Sequence, residues 1–150
     1  MSPGMDYVRP GSPVPMQFRV LGPDAGGPGQ TDLRRLFRGQ RLTAARRSRL
    51  GQCGRILAMC GARVVGLAAY ERSDRELRVT EMGMDHDSAC SPDQIASGLL
   101  DALELTCMAG TVRRLVLLPR AAAADTLLRR RGFTPIAEGT SGAWFEKIFA

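Results

Sequence analysis

Between residues 91 and 118 the chain writes a helix start, an apolar helical stripe and a short apolar run in direct succession. No other feature restricts the available folds as much. Ser91-Pro92-Asp93-Gln94 joins an N-cap hydroxyl, a proline at the first helical position, an acid for the helix dipole and a capping-box glutamine. Ile95, Leu99, Leu100, Leu103 and Leu105 follow as a predicted helical stripe, with Gly110 as its stop. Residues 114–118 (RLVLL) are apolar and too few for a helix, so they predict a buried parallel strand ended by Pro119.

Upstream, residues 16–21 (MQFRVL) alternate as a first strand, and 22–29 (GPDAGGPG) form a long loop. Thr31 or Asp32 caps a predicted helix with Leu33, Leu36 and Phe37 on one face and Arg34, Arg35, Arg38 and Arg41 elsewhere; Gly51 and Gly54 close this region. Runs 55–60 (RILAMC) and 63–70 (RVVGLAAY), split by Gly61-Ala62, predict a hairpin. Residues 76–84 (ELRVTEMGM) add a third strand after a turn at Ser73-Asp74-Arg75. Downstream, 121–131 (AAAADTLLRRR) predict a helix with arginines in its last turn and Gly132 beyond it. Residues 134–136 and 143–148 finish as strands around a loop at 138–142. The predicted order is β–α–βββ–α–β–α–ββ, an α/β (α+β) domain over residues 16–150. Residues 1–15, with Pro3, Pro10, Pro13 and Pro15, are read as a flexible tail.

Composition limits the function classes. A chain of 150 residues, 44% hydrophobic and 24% charged, is the size and make-up of one globular domain. No apolar run approaches the roughly 18 residues of a membrane-spanning helix, and the first 30 residues hold no apolar signal region. The expectation is a cytoplasmic protein without a membrane partner. Net charge is +6, Lys147 is the only lysine, and seven arginines lie between Arg34 and Arg49. Two readings of that basic segment stay open, a solvated helix face and a surface for an anionic partner. Aromatic residues make up 5% and do not interleave with the arginines, so nucleic acid is not an expected partner. Cys53, Cys60, Cys90 and Cys107 form no CxxC pair and His86 is the only histidine, too few ligands for zinc; no metal site is expected. The thiols are read as reduced, small hydrophobes.

Three strings, taken with the element order, carry a resemblance: Arg131-Gly132-Phe133 after a short helix, Val64-Val65-Gly66-Leu67-Ala68-Ala69-Tyr70, and Glu81-Met82-Gly83-Met84. They resemble the end of the last helix, the third strand and the end of the fourth strand of the GNAT N-acetyltransferase superfamily, over residue 16 to the C-terminus. The resemblance implies a mixed, mostly antiparallel sheet flanked by helices and splayed beside its fourth and fifth strands. It also implies acetyl-CoA as acyl donor and a small-molecule or peptide amine as acceptor. Met84, Ser91, Gln94, Ile95, Ala96 and Ser97 are then the cofactor-binding candidates. Glu81 is the candidate base, and Tyr70 the candidate acid. The family's phosphate signature, arginine or glutamine, two residues, glycine, one residue, glycine or alanine, falls on Ser91, Gln94 and Ala96, of which only Ala96 fits. The common acid position falls on Leu128, and a frequent asparagine on Ala121. These departures support an alternative expectation, a GNAT-like module without catalysis that serves in binding or interaction. The last strands, with Trp144 and Phe145, are candidates for pairing two subunits into a homodimer, although core burial is the simpler account of both aromatics.

Overall fold

The computed structural model describes residues 15–118, 125–139 and 142–149. Seven strands form one sheet in the order β1-β2-β3-β4-β5-β7-β6. They are β1 (Gln17–Leu21), β2 (Gly54–Cys60), β3 (Arg63–Arg72), β4 (Glu76–Met84), β5 (Arg114–Leu117), β6 (Thr134–Gly139) and β7 (Gly142–Ile148). Only β4 and β5 run parallel; the other pairs are antiparallel. The helices are α1 (Gln30–Leu36), α2 (Ala44–Gln52), α3 (Pro92–Met108) and α4 (Asp125–Arg130). The mixed, mostly antiparallel sheet flanked by helices is the predicted fold class, and the parallel β4–β5 step is the predicted one.

Three local expectations are corrected. The single helix read from Thr31 or Asp32 is two helices. Gly39 adopts φ 78°, a left-handed conformation that a side chain disfavours, and Thr43 then caps α2 by accepting from the Arg46 N–H. The N-cap of α1 is Gly29, which lacks a side-chain cap bond. Leu105 is 65% exposed, because two residues beyond Leu103 it has turned about 200° around the helix; Cys107 takes the next buried place. The expected tail up to residue 14, Pro119, and the first part of the predicted helix at 121–124 lie outside the described residues.

The sheet separates two cores. On one face Ile95, Leu99, Leu100 and Leu103 of α3 pack on Ile56, Ala58, Ala68, Leu77 and Val79, joined by Leu127, Leu128 and Phe133. Gly66 permits this approach: a Cβ there would sit 2.5 Å from Ile95 Cγ2. On the other face Leu36, Phe37 and Leu50 from α1, α2 and their connection cover Leu57, Leu67 and Ala69. Phe145 is buried and Trp144 is half-buried.

Candidate functional site

The strands that matter for a site are β4 and β5, because their ladder stops while β4 continues. Glu76–Val79 pair with Arg114–Leu117, and Leu118 N–H donates to Val79 O at 3.0 Å. From there β4 runs on beside β3 to the Met84↔Gly66 pair, without a β5 partner among the described residues. At the same point β4 carries a bulge. Tyr70 faces Val79 and Ala69 faces Glu81, which leaves Thr80 as an extra residue, its hydroxyl donating to Ala69 O at 3.3 Å. Among the described residues the result is a junction at which β4 continues past the end of its β5 ladder, the kind of strand-edge geometry on which an extended ligand bearing amides can lie.

The bulge also decides which way the β4 side chains point. Met82 belongs to the α3-side core, and Glu81 turns to the α1–α2 side. There both Glu81 oxygens accept from Arg46 of α2, at 3.0 Å from Nε and 2.7 Å from Nη2. This bidentate pair is buried, with Glu81 5% and Arg46 9% exposed. Gln40 Oε1 and Arg41 O accept from the same guanidinium, which stands 5.4 Å from the Phe37 ring centre.

One residue past β4, Asp85 repeats the arrangement. Its Oδ2 accepts from Arg35 Nε at 3.0 Å and from Arg63 Nη2 at 2.7 Å, and its Oδ1 from the Asp87 N–H at 2.9 Å. Burial pushes this carboxyl up, but the hydrogen bonds from Arg63 and Asp87 and the charges of Arg63 and Arg35 outweigh it. Asp85 is held below its ordinary value. Arg38 pairs with Asp87 at 2.6 Å, and Arg47 donates to Leu42 O. Four arginines of the 34–49 segment thus have their guanidinium groups engaged within the molecule, which answers part of the question left open by the sequence.

The start of α3 is where an anion would meet backbone N–H groups. Ser91 N–H donates to Gln94 Oε1 at 2.9 Å, and Gln94 N–H donates to Ser91 Oγ at 3.2 Å, the predicted capping box. Pro92 has no N–H. Asp93 therefore supplies the one unengaged N–H of that first turn among the described residues, next to its own carboxylate. Ile95 and Ala96 are buried beneath the sheet face, and Ser97 accepts from Arg131 Nη1 at 3.1 Å. Met84 is half-buried against the α3-side core. All six cofactor candidates thus gather at one end of β4 and α3, but only Ser91 and Gln94 are well exposed, and these two are bonded to each other.

Tyr70 stands apart. It packs against the α3-side core, across the sheet from the Glu81 carboxylate, with its ring over Gly54. Burial raises its phenol, and the Arg72 charge offsets part of that rise. It opens on a cavity of about 530 Å³ that includes Arg49, Gln52, Cys53, Glu71 and Arg72. Glu81 and Tyr70 are not brought together. Sequence reasoning missed Arg46 and Asp85. No local signal ties Arg46 to a residue 35 positions on, whereas the Asp85-His86-Asp87 turn, in which a side chain accepts from the N–H two residues later, was readable.

No protein-family profile matches the sequence, and no curated relative does. Solved structures do. Ard1 from Thermoplasma volcanium is similar with a TM-score of 0.64 at 17% identity, over 90% of this chain and 98% of that one. The ribosomal-protein-S18-alanine N-acetyltransferase of Escherichia coli gives 0.65 at 15% identity, over 89% and 95%. The PaiA N-acetyltransferase of Thermoplasma acidophilum, solved with coenzyme A, gives 0.54 at 12% identity over 63% of this chain, which spans 60% of that protein's length. The parallel β4–β5 step and these matches agree: the chain has the fold of the GNAT N-acetyltransferases.

Proposed function

We propose that this protein is an acyl-CoA-dependent N-acyltransferase acting on a small-molecule or peptide amine. The observation that carries the reading is the junction where β5 leaves β4 at Val79 beside the Thr80 bulge. The bound acyl-CoA would supply a thioester. This chain's part is to hold an extended, amide-bearing donor along β4 beyond the end of its β5 ladder and to take the proton from the attacking amine. Glu81 is the proposed base. Arg46 donates to both of its oxygens, so proton transfer to Glu81 requires that pair to loosen when the amine approaches. Tyr70, on the other face, is not assigned a role.

The two ends of the donor do not fit equally. The strand edge suits the amide-bearing arm, whereas the α3 start offers a diphosphate one N–H beside the Asp93 carboxylate. This second observation favours a second reading, a GNAT-fold binding module without catalysis. Calorimetric titration with acetyl-CoA separates the two. The transferase reading expects saturable binding that tightens in Asp93→Asn by about 1 kcal/mol or less, with a similar loss of stability, because the carboxylate stabilises the helix end and repels phosphate. Absence of saturable binding to either protein at millimolar acetyl-CoA selects the module.

A further inference from the structure

Cys60 is the last residue of β2, and Cys90 immediately precedes the α3 N-cap. Although the two are 30 positions apart, their sulfurs stand 3.4 Å from each other in an S–H···S contact. A disulfide bond measures about 2.05 Å, so the sulfurs need to close by about 1.4 Å. Cys60 adjoins the turn at Gly61, and Cys90 lies in the connection between β4 and α3. That connection is ordered by its own side chains: Ser88 Oγ donates to Cys90 O at 2.9 Å and to Asp85 O at 3.3 Å. These bonds fix the Cys90 backbone at the position from which its sulfur meets that of Cys60. Cys53 and Cys107 lie buried in the cores of opposite faces, and Cys90 is buried in the α3-side core as well; Cys60 alone is half-buried and within reach of a small oxidant.

We propose that Cys60 and Cys90 are a redox-modified pair that closes to a disulfide under peroxide and ties the end of β2 to the lead-in of α3. This inference stands independently of the acyl-CoA reading. Cys60, as thiolate, attacks one peroxide oxygen; the O–O bond breaks, giving a sulfenic acid and one water. The Cys90 sulfur then attacks the Cys60 sulfur, and the hydroxyl leaves with the Cys90 proton as a second water. Two thiols and one peroxide yield one disulfide and two waters, and a dithiol reductant reverses the bond by exchange. Burial and the neighbouring Cys90 push the Cys60 thiol up to about 11. Thiolate is then scarce at neutral pH, so the pair responds to sustained peroxide and not to traces. The closed loop contains β3 and β4, the strands that build the junction.

The test uses the full chain treated with excess hydrogen peroxide, alkylated, and digested without reductant for mass spectrometry. The expected product is a Cys60–Cys90 linked peptide in a monomeric chain, with two of the four cysteine thiols lost on titration in denaturant. Tm should rise by several degrees and return with dithiothreitol. Cys60→Ser and Cys90→Ser should each remove the link and the thermal shift. The proposal is overturned by sulfinic acid at Cys60 without a link, by a link to Cys53 or Cys107, or by a bond between two chains. The peptide map of the unaltered protein decides even where a serine variant folds poorly.

Discussion

The two faces of the sheet solve burial differently. On the α3 side the core is made almost wholly of aliphatic and aromatic side chains, with Ile95, Leu99, Leu100 and Leu103 fully enclosed. On the α1–α2 side a smaller apolar cluster is bordered by the Arg46–Glu81 pair and the Arg35–Asp85–Arg63 group. An apolar face tolerates small errors in position because its attraction has no direction. A buried ion pair does not, since each charge removed from water depends on its partner's geometry. The difference teaches that Arg35 and Arg46 of the arginine-rich segment are internal wiring, and that the candidate base belongs to that wiring.

Breaking the charged face should have the largest effect. Arg46→Ala is expected to destabilise the domain by about 4 kcal/mol by leaving the Glu81 carboxylate buried without its guanidinium. Adding Glu81→Gln should restore part of that loss. Denaturant midpoints of both singles and the double give the coupling, and additive losses would mean the two side chains do not act as a pair.

On the apolar face Leu99→Ala is expected to cost about 3 kcal/mol, from lost transfer energy and the cavity left behind. Its cost should be the same in low and high salt. A salt-dependent loss measured by urea unfolding would contradict the contrast between the faces.

Asp85→Asn is expected to cost about 2 kcal/mol at neutral pH, since hydrogen bonds to a charged group are the stronger kind. The sign of its pH dependence follows from the lowered carboxyl. A folded value below the ordinary 3.8 stabilises above 3.8, and the contribution disappears as pH falls through the folded value. Urea midpoints of Asp85→Asn and unaltered protein should therefore converge in acid. A gap that persists unchanged to low pH would assign the loss to packing.

The smallest effect is expected at the α3 start. Ser91→Ala should lower stability by about 1 kcal/mol through loss of the cap bond to Gln94 N–H. It also frees that N–H, so acetyl-CoA binding, measured by calorimetry, should hold or tighten. Weaker binding would show that the Ser91 hydroxyl itself contacts the donor.

What the chain spells locally is what could be read without a structure. The capping box, the β2–β3 hairpin around Gly61, the full extent of β4 and the stop of α4 before Gly132 are contacts within a few residues, so spacing and residue type were sufficient. The break at Gly39 was missed because the arginines on both sides continue a helix-like pattern. Tertiary structure alone decided the rest. The Thr80 bulge turns Glu81 toward Arg46 and leaves Tyr70 on the opposite face, while Arg35 and Arg63 reach Asp85 from sequence separations of 50 and 22. Such pairings form only once the sheet has set register and the helices have docked. A linear pattern records which side chains are charged, but the fold chooses their partners.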